Sequence, residues 1–196
     1  MTTPHTNLVL IGFMGSGKSS LGRLVARELG FQFIDTDTLV VERAGFDIPT
    51  IFGLHGEEHF RDLEAAVLRS LTHLNRCVVS TGGGAVLREE NRDVLRQIGF
   101  VVLLAASEEV LFDRVARNRK RPLLHTENPR ETVSRMLAER KPIYEAAAQC
   151  IIDTSNFNRT EALETLLARA REAFGWEQHS PVQASRDLRT RTDRRS

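Results

Sequence analysis

A three-layer α/β/α fold built on a parallel sheet is what this chain predicts, on three observations. Short apolar runs of strand length alternate with longer stretches of helical periodicity, the pattern of parallel strands joined through crossover helices. The first apolar run leads straight into a glycine-rich loop and then a helix. At 196 residues, 41% of them hydrophobic and 27% charged, the chain can bury one core and has little length for a second.

The elements follow in order. Leu8-Val9-Leu10-Ile11 reads as a buried strand, and Lys18 to Leu29 as a helix with Leu21, Leu24, Val25 and Leu29 on one stripe, stopped by Gly30. Phe31 to Ile34 is the second strand. A helix is expected to begin near Thr38, and Pro49, two residues after Asp47, suits the first turn of a short helix holding Ile51 and Phe52. Glu57 to about Leu74 turns Phe60, Leu63, Val67 and Leu71 inward. Strands at Val78-Val79, Phe100–Leu104 and Ile151-Ile152 are interleaved with helices at 89–98, 108–117, 131–138 and 159–174. Residues 118–129 are polar and basic with two prolines and no period, which reads as a mobile loop of about 116–129. Residues 177–196 hold almost no apolar side chains and cannot offset their ordering entropy, so they read as a disordered tail beyond a 1–176 domain.

Charge and cysteine content exclude several classes. Basic residues number 27 against 26 acids, and the tail takes five arginines and three acids of these. The first 176 residues are therefore close to neutral, which argues against a nucleic-acid or membrane-surface binder. Cys77 and Cys150 each open an apolar run and read as reduced, buried thiols at strand starts. No apolar stretch approaches the ~18 residues of a membrane span, and Met1–Thr6 lacks the sections of a signal peptide. A monomer in the cytoplasm, working on small molecules, is the expectation.

The chemistry centres on Gly12-Phe13-Met14-Gly15-Ser16-Gly17-Lys18-Ser19, a complete G-x-x-x-x-G-K-[ST] string between strand and helix. Its glycines let backbone N–H groups turn around an anion, and the helix adds its positive end. Lys18 reaches toward the β- and γ-phosphates, and the Ser19 hydroxyl suits Mg²⁺. Gly15, Ser16, Gly17, Lys18, Ser19 and Ser20 are thus the candidate ATP contacts. A dinucleotide site would want Gly or Ala where Ser20 stands, and would leave Lys18 unexplained. A guanine-nucleotide switch should carry N-K-x-D, which the chain lacks.

Asp35 and Asp37 stand at the end of strand two, where an open sheet binds its ligands. If the extended geometry persists, both carboxylates share one side. One could then support Mg²⁺ and the other orient a hydroxyl or accept its proton, or Asp37 could simply cap the following helix. No acid ends the third strand, so Asp35 is the candidate metal support. Asp153 has a similar setting without a second acid and reads as a turn or cap residue. Three consecutive glycines, Gly82-Gly83-Gly84, cost backbone entropy that close ligand approach would explain. By periodicity alone Arg61 and Arg140 are solvated surface arginines, while Arg121, in the basic loop, could bring charge onto a transferring phosphate.

Taken together and in this order, the Gly12–Ser19 loop, Asp35-Thr36-Asp37, Phe60-Arg61, Gly82–Gly84, Arg121-Pro122-Leu123-Leu124 and Arg140 with Pro142-Ile143-Tyr144 resemble the shikimate kinase family from about residue 7 to 174. The resemblance implies a nucleoside-monophosphate-kinase-like fold with five parallel strands in the order 2-3-1-4-5. It also implies MgATP-dependent phosphorylation of the shikimate 3-hydroxyl. By the same resemblance Asp37, Arg61, Gly83 and Arg140 hold shikimate, Lys18 and Arg121 contact the transferring phosphate, Ser19 and Asp35 support Mg²⁺, and Arg114 stacks on adenine. The turn at 153–159 lacks the proline often found in relatives, so no second adenine contact is assigned. Kinases of the same architecture acting on gluconate or a nucleoside monophosphate share the cradle and differ in the acceptor residues.

Overall fold

The computed structural model describes residues 6–116 and 128–176. Arg121, most of the expected loop at 116–129 and the whole tail at 177–196 lie outside them. Five strands, β1 (Leu8–Ile11), β2 (Gln32–Asp35), β3 (Cys77–Ser80), β4 (Phe100–Ala105) and β5 (Cys150–Asp153), form one sheet in the order β2-β3-β1-β4-β5, with every neighbouring pair parallel. The order is the one implied by resemblance.

Helices cover both faces, and the strand period of two sorts the side chains between them. Leu8, Leu10, Val78, Val102 and Leu104 pack with α1 (Lys18–Leu29) and α7 (Arg159–Ala173). Val9, Ile11, Val79, Val101 and Leu103 face the opposite layer, with Leu68 of α3 (Ile48–Ser70), Leu95 of α4 (Glu89–Ile98), Leu111 of α5 (Glu108–Ala116) and Tyr144 of α6 (Pro129–Ala147). Full burial of one such aliphatic side chain contributes roughly 1.5–3 kcal/mol, whereas an exposed ion pair contributes roughly 0–1 kcal/mol. The two apolar layers hold the sheet, and the surface pairs trim it. A third cluster, Val40, Ile51, Phe60 and Val67, joins α2 (Thr36–Ala44) to α3 beyond the strand ends.

Several expected boundaries move, each for a local reason. β2 starts at Gln32 and ends at Asp35, and α2 begins at once with Thr36. Asp35 caps it, its carboxylate accepting the Asp37 N–H at 3.1 Å. The two acids therefore do not share an extended strand end, and Asp37 is not the cap. The two helices expected on either side of Gly56 are both present as the halves of α3, broken where Gly56 takes a non-helical φ of 81° and ψ of 175°; the second half ends at Ser70 rather than Leu74, and Asp47 caps the first through Thr50 N–H at 2.9 Å. α6 runs from Pro129 through Pro142 to Ala147, far beyond the expected end near Ala138. An interior proline costs one helical hydrogen bond and about 3 kcal/mol, but Val133 before it and Tyr144 and Ala147 after it are all buried and tie both halves to the core. Arg140 is consequently mid-helix. Cys77 is buried as expected; Cys150 is only half-buried, because it opens the edge strand β5, and both are free thiols.

Candidate functional site

The glycine-rich loop and the start of α1 form a cradle at the carboxyl end of β1. Gly15 and Gly17 take φ of 81° and 97°, left-handed values that a side chain would strain, and Gly17 caps α1. The Lys18 ammonium donates to the carbonyls of Gly12 at 2.7 Å and Phe13 at 3.0 Å, which arches it over the loop. Ser16 Oγ is buried and has no hydrogen-bond partner among the described residues. An orphaned donor beside a helix N-terminus suits an anion that would accept from it. Ser20 sits exposed on the first turn of α1.

Parallel pairing of β2 with β3 sets Asp35 opposite Ser80. Ser19 Oγ donates to Asp35 Oδ2 at 2.7 Å and lies 3.1 Å from Ser80 Oγ. These donors are all oxygen, the set a hard cation such as Mg²⁺ takes, so the residues fit such an ion. Among the described residues no cluster of three or more His, Cys, Asp or Glu side chains offers an alternative metal site.

On the other flank α5 packs against the loop, close enough that a Cβ on Gly15 would fall 3.2 Å from the Leu111 carbonyl and 3.6 Å from Arg114 Cβ. The Arg114 guanidinium donates to the Oγ1 and carbonyl of Thr154, at 3.4 Å each, so it stands between the cradle and the turn after β5. In that turn Asp153 accepts from the backbone N–H of Ser155 at 2.8 Å and from its hydroxyl. It is the turn residue that its setting suggested.

Asp37, Arg61, Gly83 and Arg140 line a single cavity of about 670 Å³ between α2, α3, the loop after β3, and α6. The cavity abuts the cradle. Met14 of the phosphate loop lines it, and a Cβ on Gly83 would lie 3.6 Å from Met14 N and 3.8 Å from the Gly12 carbonyl. Ile48, Phe52, Phe60 and Met136 supply its apolar walls.

Arg61 is not the solvated arginine that periodicity alone suggests. Its side chain is 11% exposed, clamped between Glu57 at 3.0 Å and Glu64 at 2.8 Å. Burial alone would lower its pKa, but the two carboxylates outweigh it and push the guanidinium further up. The planar group lies flat on the main chain at Gly84, where any Cβ would collide with it. A Cβ on Gly82 would similarly fall 2.5 Å from Asp37 Oδ1 and 2.7 Å from Glu64 Oε1. Gly82 and Gly84 are therefore spent on close approach by charged side chains of this chain itself, whereas a Cβ on Gly83 would make only ordinary contacts.

Glu64 and Tyr144 carry no role in the sequence reading, and the structure puts both at the site. Glu64 is buried with Oε1 unpartnered. Burial raises its pKa, the Asp37 charge adds to the rise, and Arg61 opposes without cancelling it. Its spacing of three residues from Arg61 was a usable signal. Tyr144, at 2% exposure, donates its hydroxyl to the Gly83 carbonyl. Nothing in a linear reading pairs positions 61 residues apart.

A family model described as shikimate kinase matches residues 14–171. The shikimate kinase of Thermodesulfovibrio yellowstonii is 45% identical over 161 residues, covering 82% of this chain and 92% of that protein. The Geobacter metallireducens shikimate kinase is 50% identical over 149 residues, covering 76% and 83%. Among solved structures, the Acinetobacter baumannii shikimate kinase in complex with shikimate superposes with a TM-score of 0.78 at 36% identity, covering 90% of this chain and 96% of that one. A gluconokinase from Sinorhizobium meliloti, at 22% identity and a TM-score of 0.54 over 91% and 100% of the two chains, shares the fold alone.

Proposed function

The chain belongs to the shikimate kinase family, and from that premise we propose which of its residues carry the reaction. The enzyme transfers the γ-phosphoryl group of ATP to the 3-hydroxyl of shikimate, giving shikimate 3-phosphate and ADP on the route to chorismate and the aromatic amino acids. One observation carries the assignment of roles: the cavity lined by Asp37, Arg61, Gly83 and Arg140 opens directly beside the phosphate loop. An alcohol held there stands next to the end of a triphosphate lying in the cradle.

In this reading Arg61 and Arg140 hold the shikimate carboxylate, each charge-assisted hydrogen bond contributing roughly 1.5–3 kcal/mol. Gly83 offers its main chain to the ring. Asp37 orients the ring hydroxyls and is placed to take the proton that the acceptor loses. Gly15, Ser16, Gly17, Lys18, Ser19 and Ser20 hold the phosphates, with Lys18 over the group in transfer, and Arg114 supports the adenine. Arg121, outside the described residues, is assigned to the transferring phosphate on the family motif alone. Ser19 and Asp35 are the groups that would hold Mg²⁺, which when bound spreads the charge of the β- and γ-phosphates. Catalysis is then positioning plus charge stabilisation. We take the protein to be a cytoplasmic monomer; its near-neutral charge argues against a nucleic-acid or membrane-surface partner, and its free thiols suit a reducing compartment.

The test is an ADP-release assay with shikimate, gluconate and nucleoside monophosphates compared at equal concentration. Shikimate should support turnover at least 100-fold above the rest; equal turnover with gluconate would defeat the acceptor assignment.

A further inference from the structure

We propose that Tyr144 is a positioning residue for the acceptor, a single hydroxyl that joins Arg140 to Gly83. The inference rests on those two residues being shikimate contacts. Tyr144 follows Arg140 by four residues on α6, so the two side chains lie on the same helix face. The positive charge of Arg140 acts on the phenol, and the phenol O–H donates to the Gly83 carbonyl. One hydroxyl thus sits in the field of one acceptor contact and donates to the other.

The loop needs such a restraint. Gly82, Gly83 and Gly84 have no side chains to pack, and three glycines in a row have more backbone freedom than any other sequence. Gly82 is held by its N–H bond to Thr36 Oγ1 at 3.0 Å, and its carbonyl accepts from Ala85 N–H. Gly84 is held by Leu87 N–H on its carbonyl at 3.0 Å. Tyr144 acts on the residue between. Because the peptide unit is planar and trans, fixing the Gly83 carbonyl also fixes the direction of the Gly84 N–H.

The ring is equally well set for this work. It is buried in the core layer under the sheet, so packing decides where the hydroxyl points. Burial, opposed by Arg140, pushes the phenol up to about 12; the group therefore stays an O–H donor across the pH range of an enzyme assay. The apolar packing could be supplied by Phe, and the hydroxyl is what Phe would lack.

The experiment compares the full-length wild type with Tyr144→Phe and Arg140→Ala. Tyr144→Phe should raise the shikimate KM about tenfold while kcat and the ATP KM stay within about twofold. An unchanged shikimate KM, or a parallel fall in all three parameters, would overturn the proposal. Arg140→Ala separates the two levels. If it leaves the shikimate KM unchanged, the acceptor assignment itself fails. If it raises that KM while Tyr144→Phe does not, only the positioning role fails. A second readout needs no substitution, because Tyr144 is the one tyrosine of the chain. Protein grown on 3-fluorotyrosine carries a single fluorine probe at this site, whose resonance should move on saturation with shikimate. A stationary resonance would equally reject the proposal.

Discussion

The cradle and the acceptor cavity lie side by side, yet they are made in different ways. The cradle comes from eight consecutive residues and works mainly through backbone: turned N–H groups, a helix end, and one lysine folded over carbonyls of its own loop. The acceptor cavity draws on α2, α3, the loop after β3, and α6, and works through side chains. Its charges are held by other charges, Arg61 between Glu57 and Glu64, with Asp37 near the buried Glu64. A main-chain site needs only its local conformation to be right. A side-chain site needs four separate elements in register, and its specificity is correspondingly easier to damage.

That contrast can be broken first at the cradle. Lys18→Ala removes the cation that we assign to the transferring group and should lower kcat by about 10²–10³-fold, while shikimate binding measured by calorimetry stays near wild type. A comparable loss of shikimate affinity would mean that the two halves are not separable. Gly84→Ala tests the acceptor side without removing any charge. The new Cβ displaces the Arg61 guanidinium, whose flexible stem can give way, so the fold should survive. Loss of one charged contact predicts a rise in the shikimate KM of roughly 10–100-fold, with the ATP KM unchanged.

The smallest effect is a pH dependence. The folded protein holds the Glu64 proton more tightly than the unfolded chain, because burial raises that pKa. The stability this confers is present below the ordinary carboxylate pKa and is lost as pH rises through the folded value. Melting temperatures of wild type and Glu64→Gln should therefore diverge in favour of the variant as pH climbs from about 4 to about 7. Parallel curves would show that Arg61 fully compensates the buried charge.

The fold was legible where periodicity was strong. The α1 stripe and the alternating apolar runs predict elements within a residue or so of where they stand, because each half of a β-α unit shows its buried face in its own spacing. The reading failed where a tertiary contact overrode a local signal. Pro142 should end a helix, and does not, because Tyr144 and Ala147 are anchored beyond it. Phe31 belongs to a strand by propensity, but it stacks on Phe174 at 5.8 Å and lies just outside β2. At the site, the phosphate loop and Asp35 could be read from position alone. Arg61 and Arg140 could be read only by resemblance, since helical spacing assigns them to solvent. Glu64 was not read at all, and Tyr144 entered only as part of the motif after Arg140, without a role.

By itself the sequence determined everything that a contiguous stretch can encode: strands and helices from their periods, an anion cradle from glycines, a lysine and a hydroxyl in fixed spacing, and a near-neutral body. Those properties need only neighbours along the chain. Tertiary structure alone decided that Arg61 is clamped and lies on Gly84, that Glu64 is buried beside Asp37, and that the Tyr144 hydroxyl reaches Gly83. Such meetings depend on the rotation and height of packed helices relative to strand ends, and sub-ångström changes in packing, invisible in any local pattern, make or lose a hydrogen bond.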